Sequence, residues 1–384
     1  MVAAVRRGQP LRSVAGRFGV GVATVAFWVQ RADGQRLDRV DWSDRSRAPH
    51  KTQRTDTSLE DLVLQTRKDL ALGDLGAIGA DAIRQALRDQ GVAKVPSVRT
   101  INRILGRRGA LDGRKRVRRP PPPRGWYLPD VAAAKTELDS IDIVEGLVIK
   151  GGPEVEVLNG VSLHGGLVVS WPIASPVTAK MTMESLVEHW RQIGLPAYVQ
   201  FDNDPIFHGA YRYPDALGRV IRLCLSLKVV PVFVPPRETG FQAMIESYNG
   251  WWQAKVWSRF QHGNLEELLL GHSQKYVAAL RKQRAARIES APDRRPFPED
   301  WKLTLKKRPG GRLIYLRRSN ARSELDLLGQ FWPLGQVWPN RLVRCEIDLD
   351  KDKIRFFTLR RREPSSQPKI LEVDYRLPNR GFED

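Results

Sequence analysis

From about residue 136 the apolar pattern changes period, and that change limits the folds open to the chain more than any other feature. Segments 136–144, 154–163 and 166–173 are short and β-rich, and Gly-rich turns such as Gly151-Gly152 and Gly165-Gly166 separate them. Alternating short apolar runs broken by turn residues read as strands, here a meander of three antiparallel ones. A helical pattern over 179–193 follows, then the apolar run AYVQF ending at Asp202, a helix near 216–227, the strand VVPVFV and a long helix from about Phe241. The result is an α/β core that opens with a meander and continues as alternating helices and strands. With 384 residues in all, the chain has room for two to four domains, and this core accounts for one of them.

The flanks read differently. In residues 10–31, PLRSVAGRFGVGVATVAFWVQR, Ser13 is placed to cap a short helix carrying Val14, Ala15 and Phe18. A Gly-containing turn follows, then a second helix with Val22, Val25 and Trp28 or Val29 on one face. That is a helix-turn-helix layout over 1–35, whose second helix would enter a major groove, with Arg17 and Thr24 as candidate DNA contacts. Its first helix looks clipped, so a native start upstream of Met1 is an expectation. A basic linker, 36–56, leads to a second three-helix unit over 57–112, marked by Leu59, Leu62, Val63 and Thr66, then Ile83, Ala86 and Leu87, then Val98, Ile101, Ile104 and Leu105. Ser97 would cap its third helix, on which Arg99 and Arg103 are candidate DNA contacts. Residues 113–130 form a basic Pro-rich linker in which four consecutive prolines make a stiff spacer. The flanking Arg114, Lys115, Arg116, Arg118 and Arg119 suit phosphate tracking as well as a solvated linker does. The core is expected over 131–290. Residues 291–384 return to strands, including a hairpin read from RLVRCEIDL, DKD, KIRFFTLRR, and are expected to form a small β-barrel.

Charge narrows the partners. Lys and Arg total 63 against 43 Asp and Glu, a formal +20, which favours a polyanion and by default nucleic acid. The apolar runs fall far short of the roughly 20 residues a membrane span needs, and Arg6, Arg7, Arg12 and Arg17 break any signal-peptide core. The expectation is a cytoplasmic, nucleoid-associated protein with no membrane partner. Cys224 and Cys345 are too few and too far apart for a disulfide framework or a Cys-rich zinc site, so any metal would be held by oxygen.

Three acidic positions sit where such a core would converge: Asp139 on the first strand, Asp202 ending the fourth, and Glu246 in the long helix. Clustered carboxylates repel one another unless they are protonated or bridged by cations. Two Mg²⁺ ions, with Mn²⁺ as a substitute, would bridge them and support in-line phosphoryl displacement without a protein nucleophile.

On these residues the chain resembles the integrase-core transposases of bacterial insertion sequences, relatives of retroviral integrase and Mu transposase. The resemblance lies in Leu138-Asp139, in FDNDPIF (201–207) against an Asp-Asn-Gly-x-x-Phe pattern, and in GFQAMIESYN (240–249) against a Gly-x-x-x-Glu-x-x-Asn helix, over roughly 136–260. It implies a multidomain chain with N-terminal all-α helix-turn-helix units, a ribonuclease-H-like α/β catalytic core and a C-terminal small β-barrel. It also implies a catalytic, metal-holding triad of Asp139, Asp202 and Glu246. Such an enzyme binds terminal inverted repeats, hydrolyses element ends and joins their 3′-hydroxyls to target DNA, with double-stranded DNA as partner and at least a homodimer on it.

Three departures bear on the site. Asp204 replaces the family's Gly and is a possible ligand, although a turn cap suits it better. Asp142 rivals Asp139, since strand alternation puts the two on opposite faces, and the Leu-Asp match with Gly146 following favours Asp139. Counting the family's usual spacing from Asp202 lands on Glu238, but that residue falls in a loop between Pro235-Pro236 and Gly240, so Glu246, on a helix with Asn249 and Gln253 at i+3 and i+7, is preferred. The extra length is absorbed by residues 207–219. Two rival functions share these features: a catalytically inactive DNA-binding regulator, and a nuclease of the same fold without joining activity.

Overall fold

The computed structural model describes residues 1–44, 55–111, 124–209, 214–335, 338–361 and 363–379. The chain divides into two compact units, Met1–Leu59 and Glu60–Asp384.

The first unit holds α1 (Val2–Arg6), α2 (Leu11–Phe18) and α3 (Val22–Arg31). Gly19, left-handed at φ 63°, ends α2 and turns the chain into α3, the role that favours glycine after a helix. Ala4, Val14, Ala15 and Val25 form a small core. Helix α2 begins at Leu11 with Pro10 in the capping position, so Ser13 lies inside the helix and is not its cap. Phe18 and Val22 are about half exposed instead of inward-facing. Arg17 and Thr24 are exposed.

Next come α4 (Thr57–Leu72), which belongs to the second unit from Glu60 onward, α5 (Ala80–Asp89) and α6 (Val98–Arg107). Ile83, Leu87, Ile101, Ile104 and Leu105 face inward at helical spacing. Ser97 Oγ accepts from the Thr100 amide at 3.2 Å and caps α6, as the sequence suggests. Buried Glu60 accepts from Arg107, which ties α4 to α6, while Arg99 and Arg103 stay exposed. This bundle belongs to the same compact unit as the sheet. Arg259, beyond the sheet, donates to the carbonyls of Ala71, Gly73 and Asp74 at 3.0, 2.8 and 3.4 Å, and Lys255 to that of Gly76 at 2.7 Å.

A short α7 (Pro129–Ala132) leads into the meander β1 (Leu138–Val148), β2 (Glu154–Ser162) and β3 (Val168–Ala174). Then come α8 (Ala179–Ile193), β4 (Tyr198–Phe201), α9 (Pro205–His208), α10 (Arg219–Ser226), β5 (Val230–Phe233) and α11 (Ala243–Trp252), which runs on as a π-helical turn, Gln253–Trp257. A second π-helical stretch, Glu267–Ser273, precedes α12 (Gln274–Gln283) and α13 (Ala285–Glu289). Strands β1–β2–β3 pair antiparallel, and β4 and β5 run parallel to β1, giving the order β3-β2-β1-β4-β5 of the expected ribonuclease-H-like core.

The segment expected to be a separate barrel does something else. Its strands β6 (Arg312–Arg318), β9 (Leu342–Asp348), β10 (Lys353–Thr358) and β11 (Lys369–Asp374) continue the central sheet beyond β5 into one open nine-stranded array. Among the described residues only the hairpin β7 (Glu324–Leu327) and β8 (Gln330–Pro333) forms a sheet apart from it. The hairpin read from RLVRCEIDL and KIRFFTLRR is present as β9–β10. No closed barrel forms among the described residues, because β6 pairs β5 on one side and β9 on the other, leaving β11 at the outer edge. Sequence shows strand propensity but not which strand a segment will pair with.

Helices cover both faces of the sheet. On one face Trp190 and Leu186 of α8 and Val220, Ile221 and Cys224 of α10 pack on Ile141, Val199 and Phe201, in a core that extends to Cys345, Ile347 and Phe356. On the other, Ile245, Tyr248 and Trp252 of α11 and Val277 and Leu280 of α12 cover Val144, Val155 and Val157. Both cysteines are free and buried. Among the described residues no helix is long and apolar enough to cross a membrane.

Candidate active site

Strand register decides which carboxylates can meet. β1 lies parallel to β4 with Asp139 beside Val199 and Ser140 beside Gln200, so Asp142 stands level with Asp202, which directly follows β4. Alternation then sorts the faces. Ile141 and Ile143 of β1, with Val199 and Phe201 of β4, point to the α8 layer. Asp142 and Val144 point to the α11 layer, and Asp202 continues the alternation of Tyr198 and Gln200 toward it. Glu246 lies exposed in the first turn of α11 on that same side.

The expected pairing of Asp139 with Asp202 is corrected by this arrangement. Asp139 is buried on the α8 face, where Arg294 grips it with two hydrogen bonds, Nη1 to Oδ2 at 3.0 Å and Nη2 to Oδ1 at 2.5 Å, and the Trp190 indole donates to Oδ2 at 3.3 Å. Burial alone would raise its pKa, but the charge and hydrogen bonds of Arg294, with smaller help from the Trp190 indole, hold the carboxyl below its ordinary range. His189 beside it is pushed down to about 3, chiefly by burial, and stays neutral. A carboxylate already neutralised by a bidentate guanidinium has its oxygens committed.

Asp142 is in the opposite state. Its pKa is pushed up to about 6, first by burial, then by the negative charges of Asp202 and Glu246, against hydrogen bonds from the Ile143 backbone and Asn249. Asn249 Nδ2 donates to Asp142 Oδ2 at 2.7 Å. Asn249 is itself held by Asn159 Nδ2 at 2.9 Å, and Asn159 accepts from Ser170 Oγ at 2.5 Å, which meets the Tyr248 hydroxyl at 2.7 Å. A buried polar chain thus fixes the orientation of Asp142 from two strands and α11. Asn249 was legible in the helix motif. Asn159, opposite Asp142 on β2, carried no sequence signal beyond its place in a strand.

Asp202 Oδ1 accepts from the Asp204 amide at 3.0 Å, and its pKa is raised, chiefly by burial. Asp204 caps α9, its Oδ1 accepting from the Ile206 amide at 2.7 Å. Asn203 points away from the site, donating to the Val234 carbonyl at 2.8 Å and accepting from Arg317. Glu238 is paired with Arg318 in its loop. The side chains of Lys255 and Arg259, beyond α11, bond backbone carbonyls near the end of α4. Trp252 of α11 is core, with its indole on Ser273 at 3.0 Å. Arg114, Lys115, Arg116, Arg118 and Arg119 lie outside the described residues.

Asp142, Asp202 and Glu246 make no ion pair with a cationic side chain among the described residues, and all three offer oxygen alone. That donor set suits a hard divalent cation. Among the described residues no three His, Cys, Asp or Glu side chains form a group that could hold a metal ion.

No protein-family model and no curated protein matches the chain. Solved structures similar to it include the catalytic core domain of BIV integrase, at 19% identity and TM-score 0.30 over 40% of this chain and 94% of that one. A chain of a simian T-cell lymphotropic virus intasome, in complex with PP2A regulatory subunit B56 gamma, aligns at 14% identity and TM-score 0.35 over 73% and 91%. The HTLV-2 integrase catalytic core domain in complex with magnesium, in a dimeric form, aligns at 14% identity and TM-score 0.27 over 38% and 86%. What the site does is carried by its own side chains.

Proposed function

We propose that this chain is a metal-dependent polynucleotidyl transferase of the transposase and integrase type, with Asp142, Asp202 and Glu246 as its carboxylates. The observation that carries the reading is the placement of the carboxylates, Asp142 level with Asp202 and Glu246 in the first turn of α11 on the same side, which, after burial, helps push the Asp142 pKa up to about 6. A protein that holds three like charges near one another without a cationic partner keeps a site whose natural complement is a cation. Asp142, Asp202 and Glu246 would hold divalent ions, Mg²⁺ first and Mn²⁺ in its place. Such ions, when bound, activate a water or a DNA 3′-hydroxyl and neutralise the leaving oxygen of a phosphodiester.

The chain's own residues do the positioning. Asn249, braced by Asn159, aims one oxygen of Asp142, and the Asp204 amide holds one oxygen of Asp202. Glu246 sits on a helix end free to approach. Asp139 is a structural partner of Arg294 in this reading. The helical units would hold element ends, with Arg17, Thr24, Arg99 and Arg103 as contacts. The substrate is double-stranded DNA, and joining two ends to a target calls for at least a homodimer.

The test incubates purified protein with Mg²⁺ or Mn²⁺, labelled DNA ends and a plasmid target. Joined products should appear with the parent and fall at least about 10³-fold in Asp142→Asn, Asp202→Asn and Glu246→Gln, a loss of roughly 4 kcal/mol in transition-state stabilisation. Full joining by Asp142→Asn would sink the assignment. Cleavage without joining would point to a nuclease, and salt-sensitive binding alone to a regulator.

A further inference from the structure

Away from the carboxylates the second unit contains a cavity of about 850 Å³ between α10, the 301–311 segment and the turn that joins β9 to β10. Eight cationic side chains line it against two carboxylates. The carboxylates are already engaged. Asp348 accepts from Arg355 at 3.4 Å and from the Lys351 amide at 3.1 Å, and Asp350 from the Gly311 amide at 2.9 Å. Lys228, Lys302, Lys307, Arg312 and Lys351 form no ion pair among the described residues, and all five are exposed.

The walls are fixed. Arg222 donates to the Leu305 carbonyl at 3.0 Å, the Trp301 indole to Ser226 at 3.2 Å, and Arg308 to Asn379 at 3.2 Å. Like charges that line one cavity repel one another, the more so at low salt. An anion with spaced charges relieves that repulsion, and a phosphodiester backbone is such an anion.

We propose that this cavity is a phosphate-backbone groove for double-stranded DNA, separate from the strand being cut. It lies at the opposite end of the central strands from the carboxylates: Val229 and Val230, where β5 begins, line it, whereas Asp202 follows the end of β4, which runs parallel to β5. DNA held there is a second stretch of duplex. The inference rests on reading this chain as a DNA-handling protein, and its test uses binding alone, with a chelator present, so that catalysis plays no part.

A short duplex of arbitrary sequence is titrated with the full chain over a salt series, using the parent, Lys302→Gln/Lys307→Gln/Lys351→Gln, and a control that removes the same charge elsewhere, Lys135→Gln/Lys150→Gln/Lys180→Gln. Three lost phosphate contacts lower the log–log salt slope by about 2.7, so the parent loses about 40-fold more affinity than the groove variant between about 50 and 200 mM salt. The control should follow the parent. All six lysines are exposed, so folding is unaffected, and an unchanged melting temperature checks it. An unchanged slope in the groove variant, or an equal fall in the control, overturns the groove. So does competition by inorganic triphosphate matching that of duplex at equal phosphate concentration, which would mark a small-anion site. No duplex binding by the parent at all would instead bring down the functional reading beneath it.

Discussion

Asp139 and Asp142 are three residues apart on one strand, and their environments have opposite consequences for stability. Asp142 has its folded pKa raised to about 6, so its favourable contribution is present at low pH, where it is protonated, and is lost as pH rises through about 6. Metal-free Asp142→Asn should therefore be more stable than the parent at pH 7–8, by roughly 1–3 kcal/mol, with the advantage gone below about pH 4. Asp139→Asn should do the reverse at neutral pH. It leaves buried Arg294 without its partner and should cost roughly 3–5 kcal/mol, with the loss shrinking in acid as the parent's own Asp139 protonates. Urea unfolding of both variants across pH measures this, and a destabilised Asp142→Asn at pH 8 would contradict the repulsion argument. The carboxyl types and the rivalry of these two positions were legible in the sequence, because alternation alone says they face apart. Which face the long helix covers was not legible, since that depends on the helix α11 packing over Val144 and on Arg294, 155 positions downstream, reaching Asp139.

Helix α11 passes into a π-helical turn whose Lys255, with Arg259 just beyond it, ends on carbonyls near the end of α4. The last carbonyls of a helix lack intrahelical donors, and cationic side chains there also meet the negative end of the helix dipole. Arg259→Ala should lose about 1–2 kcal/mol and speed amide exchange at residues 68–76, while α8 on the other face keeps its protection. Unchanged exchange at 68–76 would mean that water replaces the guanidinium without cost. A propensity argument reads these two cations as a solvated or DNA-facing stripe, because their carbonyl acceptors lie some 180 positions away in sequence. The same blindness applies to Arg281, Arg284 and Arg287, which α12 and α13 direct onto the carbonyls of Val168, Gly166, His164 and Leu163. Local periodicity does find the helices themselves: 179–193 coincides with α8, and Ser97 caps α6.

Continuity of the sheet through β5 and β6 makes the C-terminal segment part of the core. Val232 and Phe233 of β5 pair with Ile314 and Tyr315 of β6, and Phe233 stacks on Tyr315 with ring centroids 5.0 Å apart. Leu313, Cys345, Ile347 and Phe356 share one apolar core with α8 and α10. A chain ending after residue 311 would bare the ladder edge of β5 together with the large buried side chains beneath it, and an unprotected apolar strand edge recruits other chains. That truncation should therefore be insoluble or aggregate on purification. Removing residues 1–55 should leave a soluble, cooperatively folding remainder, because Met1–Leu59 forms its own compact unit with its own small core. Solubility and a thermal melt of the two truncations decide the matter. A soluble chain ending after residue 311 that melts cooperatively would mean that the C-terminal strands are an accessory domain after all, and the basic cavity they help to enclose would then have to assemble after the core has folded.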